Sequence, residues 1–196
     1  VNPLDLVMPA GALAASGDDD LVDRLRRGER SAIGQAYEAH HGSVRSFARR
    51  LVGDEAVAED IVHDTFVALP RAVQRFRGDA SLRGFLIGVA ANHARRHIRS
   101  AVRRRRAFST LADVPVVEPV DPATETARRR LADRLSAEMD RLPVEQRVAF
   151  VLCDVEQRTS VEVATILGVP EGTVRTRLFH ARRKLRDGLA AEDPRG

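Results

Sequence analysis

The chain of 196 residues is 31 % charged and 43 % hydrophobic but only 4 % aromatic, with one cysteine and no tryptophan. That length suits one or two ordinary domains, and a single cysteine excludes an intramolecular disulfide framework and any zinc site of clustered cysteines. The formal charge of +4 conceals structure: residues 83–106 carry +8 without one acid, residues 171–186 carry +5, and the rest therefore sum to −9.

Every basic residue except Lys184 is arginine. Arginine use of this kind follows GC-rich codons and says nothing by itself, although a guanidinium suits bidentate contact with phosphate and guanine. Placement is more telling. Residues 51–70 hold Asp54, Glu55, Glu59, Asp60 and Asp64 without a lysine or arginine, and residues 107–127 hold four acids without a base. Two unbalanced basic blocks with acidic stretches between them predict contact with a polyanion at two places. No segment approaches the ~20 apolar residues of a membrane span, and residues 6–17 lack the cationic start of a secretory signal. A cytoplasmic protein without membrane insertion is expected, and Val1 is what a GUG start codon read literally would give.

Taken in chain order, residues 1–17 have no periodicity and predict a mobile leader. Asp18, Asp19 and Asp20 suit the start of a helix over 21–27, which Gly28 stops. A second helix is expected over 31–52, with Ile33, Tyr37, Val44, Ala48 and Leu51 on one stripe and Gly53-Asp54 ending it. The third, over 55–76, carries Val62, Phe66, Leu69 and Val73 at helical spacing, and Pro70 within it predicts a kink or an early end. After the turn Arg77-Gly78-Asp79, Ser81 opens a fourth helix through Phe85, Val89 and His93 into the arginine run. Residues 107–126, with three prolines and four acids, read as an extended acidic linker. Asp121-Pro122 starts a helix towards Arg141, and Pro143 restarts one over 144–155. Thr159 and Glu162 form a capping box for a short helix ending at Leu167. Gly168-Val169-Pro170 turns into a last helix over 171–189. No alternating strand pattern occurs, so the fold class is all-α. The expected division is a leader 1–17, a domain 18–106, the linker 107–126, a second domain 127–190 and a tail 191–196.

The last three helices form a helix-turn-helix pattern. On the final one Val174, Leu178, Ala181 and Leu185 make a core stripe. Arg175, Thr176, Phe179, Arg183 and Arg186 face away from it, flanked by Arg177 and His180. Such a helix fits a DNA major groove, where arginine bonds guanine and an apolar ring meets a thymine methyl. Arg182, Arg183 and Lys184 sit where phosphates would lie.

These residues carry a resemblance. Leu142-Pro143, Arg147, Val161-Glu162-Val163-Ala164, Leu167-Gly168-Val169-Pro170, Gly172-Thr173-Val174-Arg175, Arg177-Leu178 and Ala181-Arg182 resemble region 4 of the extracytoplasmic-function sigma factors, group 4 of the sigma-70 family. Upstream, Asp60-Ile61-Val62-His63-Asp64-Thr65-Phe66 resembles the region 2.2 motif. Phe85-Leu86 through Ala90 and Asn92 to Ile98-Arg99 resembles regions 2.3 and 2.4. The likeness covers roughly residues 18–190. His63 and Phe85 stand where the family usually has Gln and Trp, and Gly88 and Arg96 where it often has Arg and Asp.

What the resemblance implies is an alternative sigma factor that binds core RNA polymerase, recognises −35 and −10 promoter elements and helps to melt DNA. The polymerase-binding residues, docking on the clamp helices of the largest subunit, would be Asp54, Glu59, Asp60, Ile61, Val62, His63, Asp64 and Phe66, with region 4 meeting the flap. The −10 strand would meet Arg75, Phe76, Arg77, Phe85, Asn92, Arg95, Arg96 and Arg99, with one base flipped into the loop around Phe76. The −35 duplex would be read by Thr173, Arg175, Thr176, Arg177, Phe179 and His180, with Arg182, Arg183 and Lys184 on its backbone. An anti-sigma factor is an implied partner. No catalytic residue, metal or cofactor is called for.

Two other functional classes compete with this reading. His63-Asp64 with His40 and His41 invites a metal phosphohydrolase, but adjacent helical histidines point about 100° apart and no distal aspartate follows. His93 and His97 are spaced to share a metal, yet Arg95, Arg96 and Arg99 beside them oppose a cation. Cys153 reads as a buried, inert thiol, with a redox sensor as the lesser alternative. The nearer alternative is a helix-turn-helix regulator that binds duplex DNA without polymerase.

Overall fold

The computed structural model describes the backbone of residues 10–108 and 125–191, and side chains within 18–103 and 131–190. All regular structure among these residues is helical: α1 (Ala10–Arg26), α2 (Arg30–Val52), α3 (Glu55–Ala72), α4 (Leu82–Phe108), α5 (Glu125–Arg141), α6 (Val144–Phe150), α7 (Ser160–Leu167) and α8 (Glu171–Ala191). The extended linker and the Asp121-Pro122 helix start fall almost wholly outside the described residues.

In the first half, α2, α3 and α4 pack face to face and α1 lies across α2. The apolar stripes close on Phe47, Leu51, Ile61, Leu69, Leu86 and Ile87, each 0–1 % exposed. The one polar side chain buried among them, Thr65, donates its hydroxyl to the Ile61 carbonyl at 2.6 Å and so costs no unsatisfied group. Asp54 opens α3 by accepting the Val57 N–H at 2.9 Å. Just before it Gly53 sits at φ +72°, the left-handed conformation that closes α2 through its N–H to the Arg49 carbonyl.

Two boundaries differ from expectation. The helix α1 begins at Ala10, so the aspartates 18–20 lie inside it and do not cap it. The alanine-rich run 10–15 has the highest intrinsic helix propensity in the leader, and scanning for apolar periodicity alone passes over it. The third helix ends at Ala72 and tightens into a 3-10 turn at Val73–Arg75. The Pro70 expectation of an early end is what occurs.

In the second half, Val148, Leu152, Val163, Val174, Ala181 and Leu185 form the core, while Leu178 is only half-buried. The expected helix over 144–155 is not uniform: beyond Phe150 it widens into a π turn at Val151–Val155. The capping box at α7 is present, with Glu162 accepting from the Thr159 N–H at 2.8 Å and Thr159 accepting from the Glu162 N–H at 3.3 Å. Gly168, at φ +62°, then closes α7 and turns the chain into α8. At the far end of α8, Gly188 leaves room for the buried carboxylate of Glu138 on α5, where a Cβ would collide. No helix among the described residues is long and apolar enough to cross a membrane.

Candidate nucleic-acid and protein interfaces

The acidic stretch becomes the outward side of α3. Asp60 and His63 are exposed, Asp64 half-buried and Val67 65 % exposed, one above another at helical spacing. Ile61, Val62 and Phe66 do not belong to this surface. At 0 %, 3 % and 7 % exposure they are core, and Phe66 meets the ring of Tyr37 edge-on at 5.0 Å. They support the face from beneath. The apolar residue the face does present is Val67, which the sequence reading missed because motif position does not reveal which side of the helix is covered.

The acids on α3 differ in what occupies them. Asp54 is the helix cap. Glu55 is held by Arg45 at 2.6 Å and Arg49 at 2.8 Å, and Glu59 also pairs with Arg45. Asp64 lies 3.6 Å from both His93 Nδ1 and His97 Nε2 on α4. Among the described residues Asp60 has no ion pair, so its carboxylate is the one open to a partner.

Two part-buried histidines should make the fold sensitive to acid. Burial pushes His93 below the ordinary histidine value of 6.5, with Asp64 opposing and Arg96 and His97 reinforcing the shift. Burial likewise lowers His40, with Asp18 opposing and Arg83 reinforcing. A histidine with a depressed folded pKa stabilises the fold while neutral. That contribution is full above the unfolded value and is lost as pH falls through it towards the folded value. The thermal midpoint should therefore drop as pH goes from about 7.5 to about 5.5, across the unfolded value of about 6.5. A His40→Gln/His93→Gln variant should flatten this dependence, and equal slopes in the two proteins would remove the histidines as its source.

The loop after α3 is ordered by aromatic contact. Phe76 is half-buried against Phe85, ring centres 4.9 Å apart, and its carbonyl accepts from Arg26 Nη2 at 2.7 Å. Arg75 and Arg77 project from it into solvent. On α4, Asn92 is exposed and its Oδ1 accepts from Arg95 Nη1 at 2.8 Å. Arg96 is exposed and lines a groove with Arg71, Asp64 and His97. Arg95 and Arg99 point the other way, towards the second domain. Arg95 is half-buried, and Arg99 Nη2 binds Glu145 at 2.5 Å.

The second basic surface is on α8. Glu171 accepts from the Ser160 hydroxyl at 2.7 Å, fixing the start of α8 on α7, and pairs with Arg175 at 2.7 Å. The Ser160 hydroxyl and then Arg175 hold the Glu171 carboxyl below the usual range. Arg175 and Thr176 are exposed, and Thr173, Arg177 and His180 are partly covered. Phe179 stands out at 62 % exposure, with the Arg183 guanidinium 6.0 Å from its ring centre. Lys184 is exposed. Arg182 has a different setting: Nε and Nη2 grip Asp154 at 2.9 and 2.5 Å and clamp α8 to the π turn. Beside that clamp the half-buried Cys153 thiol is pushed up, first by burial and then by Asp154, which keeps it in the unreactive thiol form.

The chain matches the family description Sigma-70 region 2 over residues 36–104 and Sigma-70, region 4 over residues 132–185. It is 28 % identical to RNA polymerase sigma-H factor of Pseudomonas aeruginosa over 90 % of this chain and 96 % of that protein. It is 32 % identical to the ECF RNA polymerase sigma factor SigM of Mycobacterium tuberculosis over 86 % of this chain and 82 % of that protein. Among solved structures, CnrH in complex with the cytosolic domain of CnrY is similar with a TM-score of 0.59 and 26 % identity, covering 90 % of this chain and 99 % of that one. The sigma factor RpoE in complex with the anti-sigma factor NepR from Bartonella quintana shares the fold, with a TM-score of 0.57 and 20 % identity over 82 % and 98 %.

Proposed function

This chain belongs to the extracytoplasmic-function sigma factors of the sigma-70 family, and we propose that its separate acidic and basic surfaces divide polymerase docking from promoter contact. A sigma factor is a non-enzymatic subunit that directs RNA polymerase to initiate transcription. The outward face of α3, with Asp60, His63, Asp64 and Val67, meets the clamp helices of the largest polymerase subunit. The loop at Arg75–Arg77 and the α4 residues Asn92, Arg95, Arg96 and Arg99 take the melted −10 strand. The first turns of α8 read the −35 duplex through Arg175, Thr176, Phe179 and His180, with Arg183 and Lys184 against phosphates.

One observation carries this reading. The amino-terminal half of α8 presents arginines and a 62 % exposed phenylalanine away from a well-packed helix-turn-helix core. An exposed ring on a basic helix has a use in a major groove, against a thymine methyl, and little use in water. The factor works in the cytoplasm, on the nucleoid when bound to polymerase. Its counterpart in regulation is an anti-sigma factor, as a solved relative of this fold has.

The test is transcription by core RNA polymerase reconstituted with the purified chain on supercoiled genomic template, with transcripts sequenced. New start sites sharing a −35 and a −10 element are expected only when both components are present. Start sites identical without the chain would overturn the reading. Duplex binding by the chain with no effect on polymerase would point to a regulator that acts alone.

A further inference from the structure

The loop that follows α3 is fastened to α1 by a reciprocal pair of hydrogen bonds. Helix α1 ends at Arg26, and the last carbonyls of a helix have no partner within it. The Arg26 carbonyl is one of these, and the Gln74 side-chain amide donates to it from Nε2 at 2.9 Å. In return, Arg26 Nη2 donates to the Phe76 carbonyl at 2.7 Å. That carbonyl is clear of the 3-10 turn because Phe76 leaves it in extended conformation, at φ −70° and ψ 125°. Asp23, one turn back on α1, pairs with Nη1 of the same guanidinium at 3.1 Å and so fixes the direction of its fork.

Both sides of this clamp are anchored in the core. Val22 and Leu25 of α1 and Val73 beside Gln74 are buried, whereas Arg26 and Gln74 are exposed and take no part in core packing. The Phe76 ring rests on Phe85 of α4. Beyond it the chain has little local support. Residues 77–80 make no backbone–backbone hydrogen bond, and Gly78 takes a left-handed φ of 81°. Order returns where the Ser81 hydroxyl accepts from the Gly84 N–H at 3.2 Å and caps α4. The clamp thus holds the upstream edge of the segment that would receive a base.

We propose that Arg26 and Gln74 are positioning residues for the capture of a flipped base. Together they lock the Phe76 backbone, and with it the ring and the adjoining Arg75 and Arg77, in the receiving arrangement. A loop ordered beforehand binds without first losing conformational freedom. Releasing the clamp restores that cost, and the loss falls on the captured base and not on the strand as a whole. A phosphate contact by Arg26 would act differently, weakening binding evenly across sequences and lowering its salt dependence. This inference rests on the proposed assignment of the loop to the melted −10 strand.

Core RNA polymerase reconstituted with the full chain provides the test, using Arg26→Ala, Gln74→Met and the double variant. Gln74→Met keeps the length of the side chain and removes its donor. The probe is a short fluorescein-labelled single strand carrying the −10 sequence found by transcript sequencing. Companion strands replace each −10 base in turn by an abasic site. With the wild-type chain, the abasic site at the captured position should weaken binding about tenfold, within the range of one stacked base. Phe76→Ala identifies that position as the one whose penalty it abolishes. In the double variant the penalty there should fall to about threefold or less, a change of the size that exposed hydrogen bonds produce. The other positions should keep theirs, and each single variant should lie between. Hydrogen–deuterium exchange of residues 76–80 in the free chain should be faster in the double variant. Unchanged exchange overturns the clamp. Faster exchange with the wild-type pattern of penalties overturns its role in base capture, and so does an equal loss on every strand, which would make Arg26 a phosphate contact. If Phe76→Ala leaves every penalty unchanged, the loop assignment falls and base capture with it, while the exchange still reports the clamp.

Discussion

Replacing Arg175 by Ala should cost about 1–3 kcal/mol, or roughly 5- to 150-fold, on the duplex that the wild-type region 4 prefers, and should flatten that preference. The residue is exposed on the first turns of α8, and nothing in the core depends on it. Its ion-pair partner, Glu171, is itself anchored by the Ser160 hydroxyl. The guanidinium is thereby held along the start of the helix, and a guanine edge can take it over. The measurement is competition binding, with the wild-type and variant chains each titrated against the selected duplex and against single-base variants of it. A loss confined to one or two base positions identifies a reading residue. An equal loss on every sequence would make Arg175 a phosphate contact, and Phe179 would then be left as the principal reader.

Charge reversal at Asp60 should have an effect of similar size on the other surface. The neighbouring acids are engaged by Arg45 and Arg49, by the end of the α3 backbone, or by His93 and His97. Asp60 alone offers an uncommitted carboxylate beside the exposed Val67. Placing an arginine against a partner surface complementary to acid costs several kcal/mol through like-charge contact, so affinity for core polymerase should fall at least tenfold. Asp60 is exposed on a helix surface, and folding should shift by no more than about 0.5 kcal/mol. Affinity would be read by fluorescence titration against core enzyme, with thermal melting of the same preparation as the control. Unchanged affinity with an unchanged melt would move the docking surface away from α3.

The helix-turn-helix was legible in the linear sequence because its parts are local. A capping box spans four residues, a left-handed glycine marks the end of α7, and the α8 stripe repeats within three turns. The same holds for the early end of α3 at Pro70, since a missing N–H acts on its own turn. Where the structure departs from these expectations, the causes differ. Ile61 and Val62 lie within a motif whose letters match, but which letters face inward depends on where α2 and α4 pack. Leu178 falls on a core stripe yet stays half-buried because the stripe is wider than the surface that covers it. The leader lacks apolar periodicity, yet α1 takes in its residues 10–17 on alanine propensity.

The sequence by itself determined the helical class, the family, and the segregation of charge into two basic blocks and an acidic face. Each of these depends on residue types a few positions apart. Only the tertiary structure decided how those surfaces are occupied. Arg182 holds Asp154 across 28 residues, Arg99 meets Glu145 across 46, and Arg147 reaches Leu51 across 96. Spacing along the chain contains no record of such pairings, because they arise where independently formed helices come to rest against one another. Gly88 shows the difference most plainly: in the sequence it is one small residue in a helix, and in the fold its missing Cβ leaves the room that the Ile166 carbonyl takes up.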